Sequence, residues 1–186
     1  MKLSGMKLDK LLDNYVNQEP RERKKGYFYA SEVGAIIKGY LKPKDFFTRD
    51  KIDKRGIKNI LSGQAFEAEF KRVLDFNKTE YKHEPRYEVK FDDIVITTKP
   101  DFELKDIVIE TKFPVSLGSP KEYLERYKHQ MELEHRATKK PVYLGIFKHP
   151  FQLEFYPYKA NDETFNEIKV AVNKFNKKLK CKKENS

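Results

Sequence analysis

The sequence predicts an α/β fold in which a mixed central β-sheet is flanked by helices. Hydrophobic residues recur at helical spacing in several long segments, and short runs rich in β-branched residues lie between them. In chain order we expect helices, an antiparallel meander, a helix, two strands and a last helix. The 186 residues suffice for one domain with a proper hydrophobic core.

The N-terminal third is predicted to consist of helices joined by polar segments. Leu3 to Val16 has apolar residues at helical spacing, whereas Arg21 to Lys25 is dense in charge and predicts an exposed linker. Ser31 predicts the cap of a short helix that ends near Gly39. The polar stretch Pro43 to Arg55 predicts a loop whose two phenylalanines either anchor it to the core or belong to a lid over a substrate.

Ile57 to Phe76 predicts a long helix with one buried stripe, which comprises Phe66, Phe70, Val73 and Leu74. Glu67 falls inside the arc that faces protein, at about 100° per residue. An unpaired carboxylate in an apolar arc is costly. We therefore expect Glu67 to have a partner, either a lysine or arginine or a bound metal ion.

The strands that follow make the predicted meander. Tyr81 to Phe91 and Ile94 to Thr98 flank Asp92 and Asp93, a two-residue turn that places Val89 opposite Ile96. Ile94 to Leu104 and Ile107 to Phe113 then flank the turn at Lys105 and Asp106. Pro100 interrupts this pattern and predicts a bulge or a strand end, because proline donates no ladder hydrogen bond.

The second turn fixes a register that brings two carboxylates together. Leu104 would face Ile107, and Asp101 would then face Glu110. Phe102, Leu104, Ile107 and Ile109 form a core face, whereas Asp101, Glu103, Glu110 and Lys112 share the other face. Opposed carboxylates about 5 Å apart destabilise a sheet unless a cation lies between them. A divalent cation site is one explanation, and the solvated face of an amphipathic strand is the other.

The C-terminal part predicts a helix, two strands and a last helix. Ser119, Pro120 and Glu122 form a strong start signal for a helix that runs to about Thr138. Pro141 to Phe147 and Gln152 to Tyr158 predict strands, and Asn161 predicts the cap of the last helix. Its stripe comprises Phe165, Ile168, Val172, Phe175 and Leu179, and a basic tail begins near Lys177.

The charge balance favours a polyanionic partner. The chain has 39 Lys and Arg against 29 Asp and Glu, a formal net charge of +10. Nucleic acid is the commonest polyanion, although an acidic membrane surface or lysine-rich solubility fits the same charge. The sequence has no signal-peptide or membrane-spanning run, which predicts a soluble, cytoplasmic protein. The one cysteine, Cys181, excludes an internal disulfide and a four-cysteine metal site.

Three motifs resemble those of a known nuclease family. Lys99-Pro100-Asp101 followed by Glu110-Thr111-Lys112 resembles the signature of the PD-(D/E)xK nuclease superfamily. Gly63 to Glu67 resembles the helical motif that precedes this signature in the RecB-like and CRISPR-associated exonuclease-like branch. Gln130 resembles the start of the Gln-xxx-Tyr motif of that branch, with Glu134 in place of the tyrosine.

The resemblance implies a restriction-endonuclease-like core and a DNA nuclease that uses Mg²⁺, with Mn²⁺ able to substitute. It assigns catalytic roles to Glu67, Asp101, Glu110, Lys112 and Gln130. The metal ligands would be Glu67, Asp101, Glu110 and the carbonyl of Thr111. Relatives in this branch carry an iron–sulfur cluster held by four cysteines, so a chain with Cys181 alone is expected to lack one.

The resemblance also implies a single nuclease domain over residues 1–186. Residues 1–56 would be a helical and loop region, 57–160 the catalytic core, 161–180 the C-terminal helix and 181–186 a basic tail. Two alternatives stay open. One is a non-catalytic nucleic-acid-binding protein on a nuclease-like fold, and the other is a nuclease whose substrate is RNA.

Overall fold

A computed structural model describes residues 23–48, 52, 54–113, 118–148 and 152–181. The predicted helix at Leu3 to Val16 lies outside these residues. Within them, four helices and eight strands follow one another in this order: β1 (Tyr27–Tyr29), α1 (Ala30–Ile37), α2 (Lys54–Phe76), β2 (Tyr81–His83), β3 (Tyr87–Phe91), β4 (Ile94–Thr98), β5 (Phe102–Leu104), β6 (Val108–Lys112), α3 (Pro120–Thr138), β7 (Val142–Lys148), β8 (Gln152–Pro157) and α4 (Asp162–Cys181).

The strands form two mixed sheets, so the α/β class with flanking helices is confirmed. The smaller sheet has the order β1-β4-β3, with β1 parallel to β4 and β3 antiparallel to it. The larger sheet has the order β2-β5-β6-β7-β8, in which only the β6–β7 pair is parallel. The expectation of one continuous meander is therefore wrong.

Two prolines explain why the predicted strands divide. The run from Tyr81 to Phe91 breaks at Pro85, which follows Glu84 with its φ of +50°, and its two halves join different sheets. The run from Ile94 to Leu104 breaks around Pro100, as a proline that cannot donate to a ladder requires. The strand end predicted at Pro100 is therefore confirmed.

Both predicted hairpin registers are confirmed. Val89 pairs with Ile96 across the turn at Asp92, whose φ is +49°. Phe102 pairs with Ile109 and Glu103 with Val108, and the Leu104 N–H donates to the Ile107 carbonyl at 2.9 Å. The chain therefore crosses from the small sheet to the large one between Thr98 and Phe102, and Asp101 lies at this crossing.

Helix α3 connects the parallel strands β6 and β7, as parallel neighbours require. One face of β6 packs in a cluster with α3 that contains Val108, Tyr123, Met131, Val142, Leu144 and Ile146. The opposite face packs with α2 in a cluster that contains Phe70, Leu74, Phe102, Ile109 and Phe147. Strand β6 is thus covered on both sides, and its polar residues do not form a solvated face.

Most predicted helix signals hold. The Ser119 hydroxyl accepts from Glu122 N at 3.3 Å, and the Glu122 carboxylate accepts from Ser119 N at 2.7 Å. Asn161 Oδ1 accepts from Thr164 N at 2.7 Å, and the apolar stripe of α4 is buried except for Phe165, which is partly buried. Helix α4 continues to Cys181, so the basic tail does not begin at Lys177.

Three local predictions are wrong. Helix α1 begins at Ala30 with Tyr29 as its cap, because the Glu32 carboxylate accepts from Tyr29 N and Ser31 lies inside the first turn. Val73 is 46% exposed and does not belong to the buried stripe of α2. Arg23 is not part of an exposed linker, since its guanidinium binds Glu32 at 2.5 Å and the Phe46 carbonyl at 2.8 Å. Phe46 itself is fully buried, which confirms the hydrophobic anchor.

Candidate active site

Asp101 is bound to β6 through a single carboxylate oxygen. Its Oδ2 accepts from the Thr111 N–H at 2.7 Å and from the Thr111 hydroxyl at 2.5 Å. Asp101 has left the ladder at the crossing between the sheets, so these two bonds fix its side chain beside β6. The predicted proximity of Asp101 and Glu110 is thereby achieved through Thr111 rather than through a pair of opposed strand residues.

Glu110 lies in the middle of β6 and is only 1% exposed. Its Oε1 accepts hydrogen bonds from the Lys112 ammonium and from Gln130 Nε2, the latter at 2.6 Å. Burial and the nearby charge of Asp101 raise the pKa of Glu110 to about 7, although Lys112 opposes the shift. Its second oxygen, Oε2, is buried and has no hydrogen-bond partner in the part of the chain that the structure describes.

Lys112 follows two residues later on the same face of the strand. Burial alone would lower its pKa, but the charges of Glu110 and Asp101 and the hydrogen bond to Glu110 outweigh burial and raise the pKa above its ordinary value. Its Nζ also lies 5.5 Å from the centre of the Tyr127 ring, which packs against the apolar cluster beneath. Lys112 is therefore a permanently charged ammonium held in place by neighbours on β6 and α3.

Gln130 and Glu134 extend the cluster from helix α3. They are four residues apart and therefore share one face of the helix. Gln130 Nε2 donates to Glu110 Oε1 at 2.6 Å and to Glu134 Oε1 at 3.0 Å. Glu134 is fully buried, and burial together with the charge of Glu110 raises its pKa well above the ordinary value. The amide of Gln130 thus joins two buried carboxyl groups.

Glu67 projects from helix α2 toward the same region, and its partner is a histidine. His83 Nε2 lies 2.6 Å from Glu67 Oε1, and the His83 ring packs on Phe102 with 5.2 Å between ring centres. Partial burial and the charge of Asp101 raise the pKa of Glu67, although His83 opposes the shift. The observed protein partner is thus neither the lysine nor the arginine that the sequence left open, and the metal ion as a partner of Glu67 stays a prediction.

The five predicted catalytic residues therefore fall into two connected groups. Glu110, Lys112 and Gln130 are directly hydrogen-bonded, whereas Asp101 interacts through charge with both Glu67 and Glu110. Among the described residues, no three His, Cys, Asp or Glu side chains are grouped so that they could hold a metal ion. Instead, the carboxylates of Glu67, Asp101 and Glu110 are each engaged with a protein partner.

The donor set nevertheless fits a divalent cation. The cluster contains several carboxyl groups around one ammonium, and two buried carboxyl oxygens, Glu110 Oε2 and Glu134 Oε2, have no partner within the described residues. Carboxylate oxygens are hard ligands of the kind that Mg²⁺ prefers, and Mg²⁺ uses only one or two of them. A cation would satisfy orphaned oxygens that otherwise make burial costly.

Sequence reasoning missed two residues of the site. Glu134 was considered only as a departure from the Gln-xxx-Tyr motif, although its four-residue spacing from Gln130 already places both side chains on one face of α3. His83 had no comparable signal, because it lies in a three-residue strand whose pairing with β5 becomes evident only in the folded chain. His129 on helix α3 is buried, and its Nε2 lies 3.0 Å from Glu167 Oε2.

Comparison with known proteins shows a likeness in structure without one in sequence. The chain matches no established family profile and no curated protein sequence. It matches the crystal structure of SSO0001 with a TM-score of 0.64 and 16% identity, over 96% of this chain and 87% of that one.

Two further matches are exonucleases. The alkaline exonuclease LHK-Exo from Laribacter hongkongensis matches with a TM-score of 0.60 and 15% identity, over 86% of this chain and 91% of that one. A phage-related exonuclease from Haemophilus somnus 129PT matches with a TM-score of 0.52 and 15% identity, over 82% of each chain. The fold is restriction-endonuclease-like. In this restriction-endonuclease-like core, the cluster around Glu110 lies between the large sheet and helix α3.

The described residues include no helix that combines the length and the apolar character needed to cross a bilayer.

Proposed function

We propose that the protein is a metal-dependent deoxyribonuclease that hydrolyses phosphodiester bonds with its PD-(D/E)xK residues. The observation that carries the proposal is the cluster in which Asp101, Glu110, Lys112 and Gln130 meet on a restriction-endonuclease-like fold. The two exonucleases that share this fold support DNA as the substrate class. The net charge of +10 suits a polyanionic substrate.

The residues that would hold the cation are Asp101, Glu110 and Glu67, with the carbonyl of Thr111 as a further oxygen ligand. Mg²⁺ is the expected ion and Mn²⁺ the expected substitute, because all of these ligands are hard oxygen atoms. When bound, the ion supplies positive charge that stabilises the developing charge on the phosphate and on the leaving oxygen. Thr111 contributes a second function, since its N–H and hydroxyl orient Asp101.

Lys112 acts as a positioning and charge-stabilising group. A lysine that served as general base would need a lowered pKa, whereas the neighbouring carboxylates raise the pKa of Lys112. Its ammonium donates to Glu110 and lies on the face of β6 that carries the cluster, where it can donate to a phosphate oxygen of the scissile group. Gln130 donates from helix α3 to the same Glu110 oxygen and so helps to orient the carboxylate.

Glu67 completes the site from helix α2. Its carboxylate is oriented by His83 and is close enough to Asp101 for the two charges to interact. It can therefore contribute a further ligand or hold the attacking water by a hydrogen bond. Residues from helices α2 and α3, from strand β6 and from the crossing between the sheets would then surround the phosphate, which is the condition for orienting the nucleophile and the leaving oxygen together.

Incubation of the purified protein with DNA tests this proposal. We expect cleavage with Mg²⁺ or Mn²⁺ and none in excess EDTA. Glu110→Ala and Lys112→Ala should each abolish cleavage while circular dichroism shows a folded protein. Cleavage that persists in both folded variants would contradict the proposal. End-labelled linear DNA beside closed circular DNA distinguishes exonuclease from endonuclease action, and a parallel RNA substrate tests the alternative substrate class.

A second candidate function is nucleic-acid binding without catalysis. One observation favours it: within the described residues the acidic side chains are engaged with protein partners and form no group of three that could hold a metal ion. This candidate predicts DNA affinity that falls steeply with salt concentration. It also predicts no cleavage with Mg²⁺, Mn²⁺, Co²⁺ or Ca²⁺ over long incubation, so the same digestion separates the two candidates.

A further inference from the structure

Helix α3 carries two fully buried glutamates, Glu132 and Glu134, that differ in how their oxygens are satisfied. Both side chains have a relative exposure of 0% and lie only two positions apart, so they point to different sides of the helix. The protein satisfies both oxygens of Glu132, whereas Glu134 keeps one oxygen that has no hydrogen-bond partner among the described residues.

Both oxygens of Glu132 have protein partners. Its Oε1 accepts from Arg136 Nε at 2.7 Å, and its Oε2 accepts from the Tyr158 hydroxyl at 2.8 Å and from Asn161 N at 3.0 Å. This network ties α3 to the start of α4. The buried charge of Glu132 is compensated by the guanidinium of Arg136, as a buried carboxylate requires.

Glu134 has no such compensation. Its Oε1 accepts from Gln130 Nε2 at 3.0 Å, but its Oε2 is buried without a hydrogen-bond partner anywhere in the described ranges. Glu110 repeats the pattern, because its Oε1 accepts from Gln130 and its Oε2 is buried without a partner. The two carboxyl groups lie within hydrogen-bond reach of each other, and this contact acts to lower the pKa of Glu110, but two ionised carboxylates have no hydrogen to donate to each other.

The charges near these two oxygens do not balance. Lys112 is the cation that interacts with both carboxyl groups, and Asp101 adds a third negative charge. Two ionised carboxylates buried beside one ammonium would leave an excess of negative charge that the surrounding apolar side chains cannot solvate, which favours a proton on one of them until a cation binds. A hard cation of charge +2 next to the unpartnered oxygens would remove this excess.

We propose that Glu134 binds the divalent cation of the site together with Glu110, through the two buried oxygens that lack partners. The inference deepens the proposed function and rests on it, because it assigns to the same site a ligand at the position where the resembling motif has tyrosine. Gln130 then holds both ligands through the two hydrogens of one amide group.

Equilibrium binding of Mn²⁺ to the DNA-free protein, followed by the loss of the free-ion EPR signal, tests the inference without reference to cleavage. Two variants are compared with the wild type. Glu134→Gln removes the charge but keeps an oxygen that can accept from Gln130, whereas Glu134→Met removes both the charge and the acceptor at similar volume. Glu132→Gln is the matched control on the same helix. Circular dichroism and thermal unfolding in EDTA identify the folded variants.

If Glu134 is a ligand, both Glu134 variants should raise the Kd for Mn²⁺ by about tenfold or more, and the increase in Tm that Mn²⁺ gives the wild type should shrink in both. Glu132→Gln should lower the Tm and leave the Kd unchanged. Each Glu134 variant tests the inference on its own if the other fails to fold.

Three results would overturn the inference. The first is a wild-type Kd in Glu134→Gln with weakened binding in Glu134→Met, which would make Glu134 a positioning residue that acts through Gln130. The second is an unchanged Kd in both variants, and the third is a wild-type protein that binds no Mn²⁺. A protein that binds Mn²⁺ through Glu134 but cuts no DNA would contradict the proposed nuclease while leaving this inference intact.

Discussion

Asp101 and Thr111 are joined by two hydrogen bonds that end on one carboxylate oxygen, at 2.7 Å from the Thr111 N–H and 2.5 Å from its hydroxyl. These bonds connect the crossing between the two sheets to the strand that carries Glu110 and Lys112. The geometry of the candidate site therefore depends on a threonine that is not itself an acid, base or nucleophile.

Thr111→Val should show how much the hydroxyl of Thr111 contributes to holding Asp101, because valine keeps the shape and the backbone N–H but lacks the hydroxyl. We expect a loss of about 1–2 kcal/mol in the free energy of unfolding and cleavage slowed by about tenfold, the effect of losing a hydrogen bond that orients a metal ligand. Thr98→Val is the control, since the buried Thr98 hydroxyl has no partner among the described residues. Urea denaturation and initial cleavage rates measure both, and equal effects of the two variants would contradict the assignment.

The affinity for Mn²⁺ should depend on pH through Glu110. Its pKa is raised to about 7 in the metal-free protein, and a carboxyl group must lose its proton before it binds a cation. The apparent Kd should therefore increase as the pH falls below 7, by about tenfold per pH unit for each proton that the cation displaces. Titrations between pH 5.5 and 8.5 measure this slope. A Kd that does not change over that range would show that Glu110 is not a ligand.

His83 should support cleavage without being essential to it. His83 orients Glu67 through a 2.6 Å contact, and loss of a residue that orients a metal ligand typically costs about 10–100-fold. His83→Ala should therefore slow cleavage by roughly tenfold, and Glu67→Gln should slow it further. His135→Ala is the control, because His135 contacts the Lys140 carbonyl rather than a carboxylate of the candidate site. Cleavage in His83→Ala at the wild-type rate would exclude the supporting role.

Glu103 should stabilise the fold in a pH-dependent way. Burial alone would raise its pKa, but hydrogen bonds from Lys140 and Tyr87 outweigh burial and lower it. A carboxyl group whose pKa is lower in the folded state stabilises the protein fully above its unfolded pKa of about 4.3, and this stabilisation is lost as the pH falls from there through the lower folded pKa. Glu103→Gln should cost about 1–3 kcal/mol at pH 7.

The loss in Glu103→Gln should be smaller near pH 3 than at pH 7, because the unfolded carboxyl group then binds a proton and the ionised folded form loses its advantage. Urea denaturation at both pH values measures the difference. The matched control is Glu88→Gln, whose half-exposed carboxylate pairs with Lys90 two residues further along strand β3 of the small sheet. An equal loss at the two pH values would show that the ionised form of Glu103 contributes nothing.

Local signals in the sequence were sufficient to predict hairpin registers and helix starts, because residues close together in the chain determine these features. The turn at Lys105 and Asp106 fixed the register of β5 and β6, and Ser119 with Glu122 fixed the start of α3. Strand β1 was missed because it has three residues and pairs with a strand far along the chain. The division into two sheets was missed although Pro85 interrupts the predicted strand.

The residues of the candidate site were predictable from the sequence, but their burial was not. The hairpin register and the resemblance named Asp101, Glu110, Lys112 and Gln130, which the structure brings together. The burial of Glu110 was not predictable, because it depends on α3 covering a face of β6 whose polar residues suggested solvent. The catalytic and ligand roles of these residues, and the organisation of the chain as one nuclease domain, stay predictions.

The contacts of the site join residues that are near one another along the chain. Glu67 and His83 are 16 positions apart, Asp101 and Thr111 are 10 apart, and Glu110 and Gln130 are 20 apart. The reactive groups are thus encoded by one contiguous stretch, whereas α1 and α4 pack around a separate core. Substitutions in those outer helices should alter how long the protein survives heat or denaturant while leaving the chemistry of each surviving molecule unchanged.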